Sequence, residues 1–311
     1  MNSEYISLYK IHSELPSRLG LKKAEEIFQD GFYGAGIKVS AVTDTSKCRS
    51  TAVIPRPDAQ SLLDLVTKRT GLKIPLQDSD VFVLPRSCKI TSGPWLLQKH
   101  SQLEKIFKSM QNLDKAAKQQ AQVLREHSDA LQKFSSNNHV FISIDIEAFE
   151  KNQNCVTEIG IAVLDTTFPA AEITTRHIRI REYLHLRNGR FVPDNADNFK
   201  FGKTEIISQK MAIDAVQHCF RKFTNLGKKV VFVGHAPQGD LLYLVKMKCK
   251  LPEMPVIDTR LLFAAHCKEY DKVRNLGHCL DHLGIKNWFL HNAGTILINC
   301  THLKGTMHVI P

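Results

Sequence analysis

The 311-residue chain has no Cys-x-x-Cys pair. Its eight cysteines, Cys48, Cys88, Cys155, Cys219, Cys249, Cys267, Cys279 and Cys300, stand singly, which argues against a zinc ribbon or a disulfide framework and for reduced thiols. It has no run of eighteen apolar residues, so no membrane-spanning helix is expected. The start, "MNSEYISLYKIHSELPSRLG", lacks both the apolar stretch of a signal peptide and the acid-free, Arg-rich texture of a transit peptide, and the expectation is an intracellular protein of the cytoplasm or nucleus. No dense Lys/Arg cluster, internal repeat or low-complexity segment occurs. The net charge of +11 is instead spread along the chain: residues 1 to 135 carry 20 basic and 14 acidic side chains (+6), the remainder 22 and 17 (+5).

What is present suits a folded protein with a sizeable core, since 43% of residues are hydrophobic and 23% charged. The positive balance fits an anionic partner such as nucleic acid, because neutralising phosphates with Lys and Arg dominates such binding. Residues 1–92 read as a small mixed region with turn signals at "GFYGAG", "IPRPD" and "LPRSCKITSGP", a helix over 58–70 and a short strand "DVFVLP". They carry no recognisable chemistry. After Pro94, Gly and Pro are absent as far as Phe134. Leu103, Ile106, Met110, Leu113, Ala117, Leu124, Leu131 and Phe134 recur at a three-four spacing broken only at Gln120 and His127, predicting one long amphipathic helix over 94–135. Such a seam either docks a protein partner or lies along its own protein; the two polar breaks favour the second.

Beyond "SSNN" the texture changes. "HVFISIDIEAF", "TEIGIAVLD" and "RHIRIREYLHL" read as three strands. "KTEIISQKMAIDAVQHCFRKFTNLG" reads as a helix, "KVVFVGH" as a buried strand, "GDLLYLVKMK" as a helix, "MPVIDT" as a strand and "RNLGHCLDHLGI" as a helix. Three strands followed by alternating helix and strand predict a mixed sheet covered by helices. Its core should hold Ile142, Ile144, Ile159, Ile161, Val163, Val231, Val233, Leu242 and Leu262.

In "FISIDIEAF" the period of two puts Phe141, Ser143, Asp145 and Glu147 on one face, opposite Val140, Ile142, Ile144 and Ile146. Two carboxylates so close repel unless a cation lies between them, and hard oxygen ligands suit magnesium or manganese. The plainer alternative is a strand end reaching solvent. Five residues after His235, Asp240 opens a helix, where an aspartate ordinarily caps. Farther on, "FLHNAG" ends in a turn holding His291.

In this order the pieces resemble the DEDDh exonucleases of the ribonuclease H-like superfamily: Asp145 and Glu147 match the first motif, Asp240 the second and His291 the third, with Asp258 of "VIDT" in the segment before it. "EYLHLRNGRFVPDNADNFKFGKTEIIS" is similar to the fungal Gfd-type branch of that family, and the resemblance covers about residues 137–294. It implies an α/β, ribonuclease H-like three-layer fold with a mixed five-stranded sheet over 137–311, atypical after 294. It also implies a 3′-to-5′ exonuclease acting on the free 3′ end of single-stranded RNA or DNA. Two Mg2+ or Mn2+ ions would be bridged by Asp145 and completed by Glu147 and Asp240, with His291 accepting the proton of the attacking water. Arg190, Lys200 and Lys203 would assist strand binding, although as single residues they also read as ordinary solvated charges.

The family pattern asks for a fourth carboxylate five residues after the histidine, and position 296 is Ile296, which cannot ligate a metal. The closing segment "TILINCTHLKGTMHVIP" also lacks an amphipathic helical period. Two accounts follow. In one, the chain is a pseudo-exonuclease that keeps its fold as a binding scaffold in RNA metabolism. In the other, favoured by the abrupt loss of the pattern at Gly294-Thr295, residues 295–311 are read from an unspliced intron.

Overall fold

A computed structural model describes residues 4–29, 32–34, 36–77, 81–83, 88–168 and 173–285. The chain divides into two compact units between Ala121 and Gln122.

The first unit runs β1 (Glu4–Ser7), α1 (Leu8–Leu19), α2 (Leu21–Gln29), β2 (Ile37–Asp44), β3 (Arg49–Pro55), α3 (Arg56–Thr70), β4 (Val81–Val83), β5 (Cys88–Leu97) and the opening turns of α4 (Gln102–Ser135). Helix α3 has the local signals of a stable helix: a proline in its first turn, Asp58 near its positive end, Lys68 and Arg69 at the other, and left-handed Gly71 closing it. The strands make a five-stranded antiparallel sheet in the order β4-β1-β3-β2-β5. This is more regular than the mixed region expected from sequence. "CKITSGP", read there as a turn, belongs to β5: Gly93-Pro94 sits at a register shift on an edge strand, where a residue without an amide proton is tolerated. Gly93 is required there, since at φ 95° a Cβ would approach the Val39 carbonyl oxygen to 2.8 Å. Ile6, Leu8, Phe32, Val39, Ile54, Leu62 and Val66 pack with Leu103, Ile106 and Met110 of α4 into this unit's core.

The second unit holds the end of α4, then β6 (His139–Phe149), β7 (Asn152–Asp165), β8 (Ile173–Ile180), β9 (Thr204–Ile207), α5 (Gln209–Asn225), β10 (Lys229–Gly234), α6 (Gln238–Lys246), β11 (Val256–Asp258), α7 (Thr259–Cys267) and α8 (Leu276–His282). The strand order is β11-β10-β6-β7-β8-β9. Strand β7 alone runs against its neighbours, because β6-β7 and β7-β8 are antiparallel while β6-β10, β10-β11 and β8-β9 are parallel. The core order β11-β10-β6-β7-β8 is that of the ribonuclease H-like fold. A sixth strand, β9, extends the expected five. Its Thr-Glu-Ile-Ile pairs along β8, and the Ser208 hydroxyl accepts the Met211 amide, so the helix read from Lys203 starts at Gln209.

One sheet face packs Val140, Ile142, Ile144, Ile159 and Ile161 against Ala212, Val216 and Phe220 of α5. The other packs Phe141, Val231, Val233 and Leu262 with Ala130 of α4. Leu242 departs from its expected core position: it is 54% exposed, while Leu244 of the same helix is buried. Helix α4 begins at Gln102 and not at 94, and in its last turns the buried stripe is Val123 and Ala130, with Leu124 exposed. Each end of the helix thus packs on the core of its own unit. Among the described residues no helix is long and apolar enough to cross a membrane.

Candidate active site

The alternation of β6 places Asp145 and Glu147 in line with Phe141 and Ser143, at the end where the strand leaves the core. Strand β10 lies parallel to it and ends at Gly234, where a Cβ would meet the Pro237 ring at 2.8 Å. The absence of that atom lets the chain turn tightly through His235, Ala236 and Pro237 into α6. Asp258 clips this turn: one carboxylate oxygen accepts the Ala236 amide at 3.2 Å and caps α7 at the Arg260 amide, while the Arg260 guanidinium pairs with the other at 2.7 Å. His235 is structural as well, its Nε2 donating to the Arg274 carbonyl at 2.9 Å.

The turn delivers Asp240 to β6. Its Oδ1 accepts the backbone amide of Ile146 at 3.1 Å, so this carboxylate sits at the peptide between Asp145 and Glu147. Asp240 therefore does not act as the cap of its own helix, whose N-cap is Pro237.

Two further residues complete the cluster. Glu158 is the cross-strand partner of Glu147 and is 5% exposed. Its carboxylate meets Nε2 of fully buried His177 at 2.8 Å, and Nδ1 of that ring lies 2.9 Å from the Thr204 hydroxyl. Burial, reinforced by Asp240, Glu147 and Glu158, holds the Asp145 carboxyl well above the usual carboxylate range. Burial, then Glu158 and Asp240, push Glu147 up to about 8, and burial lifts Asp240 to about 7. Three neighbouring acids raised by burial and, for Asp145 and Glu147, by one another ionise together only when a positive charge offsets them.

The remaining predicted residues are more scattered. Arg190 is exposed in the connection between β8 and β9, tied to the end of β6 through Glu150. Lys200 and Lys203 are exposed near β9, which stands three strands from β6, a lateral distance of about 14 Å. His291 and Ile296 lie outside the described residues.

The match to a family model, DNA polymerase III subunit epsilon-like, C-terminal domain, extends over residues 140–295, half of the chain and the whole described cluster. The chain belongs to this DEDDh exonuclease-like family. An uncharacterized nucleolar protein of Schizosaccharomyces pombe is 37% identical over 172 residues, covering 53% of this chain and 67% of that protein. "Good for full DBP5 activity protein 2" of Saccharomyces cerevisiae is 31% identical over 202 residues, covering 54% of this chain and 35% of its own length. Among solved structures, product-bound exonuclease I matches with a TM-score of 0.34 and 9% identity, over 54% of this chain and 44% of that one.

DEDDh exonucleases use divalent metal ions, and the donors here fit such an ion in kind. They are carboxylate oxygens, and Asp145 Oδ2 is buried with no hydrogen-bond partner. Among the described residues no three side chains stand close enough to hold an ion by themselves, so the described cluster is an open set of donors. Glu158 and His177 escaped the reading by sequence. Their only signal was an acid inside the otherwise apolar "EIGIAVL".

Proposed function

We propose that residues 122–311 form a nucleic-acid-binding domain of the 3′-to-5′ exonuclease type, directed at the free 3′ end of single-stranded RNA or DNA. The observation that carries this reading is the Asp240 carboxylate held at the Ile146 amide, between Asp145, whose buried Oδ2 has no partner, and Glu147. These three residues would hold Mg2+ or Mn2+, which when bound supplies positive charge to the scissile phosphate and the leaving oxygen. His291 accepts the proton of the attacking water, a role suited to an imidazole whose ordinary pKa lies near neutrality. Asp240 owes its place to the Ile146 amide, and Arg190, Lys200 and Lys203 attract the phosphodiester backbone. The nucleolar relative points to a nuclear compartment for this chain.

Ile296 leaves the set one carboxylate short of the family pattern. The unmodified chain should therefore digest a 3′-labelled single strand very slowly in magnesium. Ile296→Asp should raise the rate, and Asp145→Asn in that background should abolish it. A metal-binding readout runs in parallel: Mn2+ should raise the melting temperature of the unmodified chain and leave that of Asp145→Asn unmoved. No shift with Mn2+ and no hydrolysis by Ile296→Asp, with single-strand binding intact, would make the chain a binding scaffold and overturn the enzymatic reading. Brisk hydrolysis by the unmodified chain, lost on Asp145→Asn, would show that another group does the work of the fourth carboxylate.

A further inference from the structure

The connection between β8 and β9 is fastened to the strand that carries the acids. Asn188 makes the first tie: its Oδ1 accepts the Glu150 amide at 2.9 Å and its Nδ2 donates to the Ala148 carbonyl at 3.2 Å. Glu150 makes the second. Its carboxylate accepts the backbone amides of Gly189, Arg190, Phe191 and Val192, the closest at 2.9 Å from Phe191. Successive amides turned toward one point form a concavity that prefers an anion, and here the protein's own carboxylate fills it. These bonds depress the Glu150 pKa, that of the Phe191 amide most. The segment is thus pinned immediately after Glu147, within about 10 Å along the strand.

What this pinned turn presents is Phe191, 70% exposed. A solitary exposed apolar residue needs no explanation. This one differs because both flanks are restrained and the neighbouring cation is placed on it: the Arg190 guanidinium lies over the ring, 5.1 Å from its centroid. Arg187 is committed to Asp194 and Asp197, whereas Arg190 meets no carboxylate among the described residues. An aromatic ring on a pinned backbone, beside a guanidinium that meets no carboxylate among the described residues, matches the chemistry of a single strand: a base for the ring and a phosphate for the cation.

We propose that Phe191, backed by Arg190 and held by Glu150, is the platform on which a base of the entering single strand stacks. The proposal rests on the nucleic-acid reading above and assigns it a residue that charge alone does not single out.

The test uses the full chain carrying Asp145→Asn, so that no strand is consumed. Fluorescence anisotropy measures affinity for a fluorescein-labelled 12-nucleotide strand and for the same strand made abasic over its 3′-terminal third. Phe191→Ala should weaken binding of the intact strand about tenfold, within the range that base–aromatic stacking carries, and leave the abasic strand unchanged. Phe191→Trp should bind like the parent and show indole fluorescence quenched on adding the intact strand but not the abasic one. If Phe191→Ala binds both strands like the parent, or loses both equally while its melting temperature is unchanged, the platform is overturned and the loop is left as a structural or protein-docking element. Failure of the folded parent to bind any strand overturns the nucleic-acid reading together with the platform. Parental binding indifferent to Phe191 overturns the platform alone.

Discussion

The two units bury polar groups in opposite ways. In the first, the Thr43 hydroxyl bonds those of Ser50 and Thr91 at 2.9 and 2.7 Å, and His12 bonds the Tyr33 hydroxyl at 3.0 Å among the rings of Phe28 and His100. Burial lowers the His12 pKa to about 4, with His100 adding to the effect, so this ring is neutral at neutral pH. In the second, Asp145, Glu147, Glu158 and Asp240 gather like charges at one end of a sheet, with Glu158 alone facing a side chain able to carry positive charge, His177. The first unit keeps most of this buried polarity uncharged and paired, His100 Nδ1 being a buried atom left without a partner, and the pairing serves stability. The second retains an imbalance that costs stability, and such an imbalance persists where a ligand or a reaction resolves it.

The comparison is most exposed to change at the Glu158–His177 pair. Removing either partner leaves the other's buried polar atom without its hydrogen bond, so Glu158→Ala and His177→Ala should each cost about 3 kcal/mol in urea unfolding. A loss below about 1 kcal/mol would mean that neither group depends on the other for its buried hydrogen bond and would erase the contrast between the units.

The next effect belongs to the first unit and depends on pH. A histidine whose folded pKa lies below its unfolded value binds a proton more readily when unfolded. The contribution of His12 is therefore fully present above pH 6.5 and is lost as pH falls toward about 4. At about 1.4 kcal/mol per pH unit over the interval from 6.5 to about 4, the loss levels off at about 3.5 kcal/mol. His12→Phe should flatten the acid limb of the stability–pH curve. An unchanged limb would move the proton uptake to another group.

The smallest effect is at Leu242 on α6, read against its buried neighbour Leu244. Leu242→Ala should change stability by no more than about 0.5 kcal/mol, since Leu242 is 54% exposed, whereas Leu244→Ala should cost about 2–5 kcal/mol from a fully packed position. Equal costs would mean that the exposed face of α6 is covered in solution.

How far the sequence was legible depended on the range of the interactions involved. The faces of β6, the helix read over 58–70 and, apart from β9 and α7, the succession of strands and helices after 139 follow from local periodicity and capping, and the structure has them. The sheet of the first unit was largely hidden: of its strands only β4, within "DVFVLP", was read, β1 is 4 residues long, and a glycine-proline pair interrupts β5. Strand β9 merged with the helix after it because four residues carry too little pattern to be separated. Along α4 the register slipped by one residue, since Val123 with Ala130 and Leu124 with Leu131 satisfy the same spacing and only packing chooses between them.

The sequence by itself determined that Asp145 and Glu147 share a strand face, because alternation is a property of the extended backbone, and that a histidine and a third acid follow in the order of a known family. Tertiary structure alone decided that Asp240 bonds the amide of Ile146, 94 residues away, that Glu158 meets His177 across adjacent strands, and that Glu150 gathers the amides of residues 189–192. Each of these contacts pairs a polar group with one distant in the chain. Local periodicity does not encode such pairings; the register of the sheet and the exit angles of its turns do.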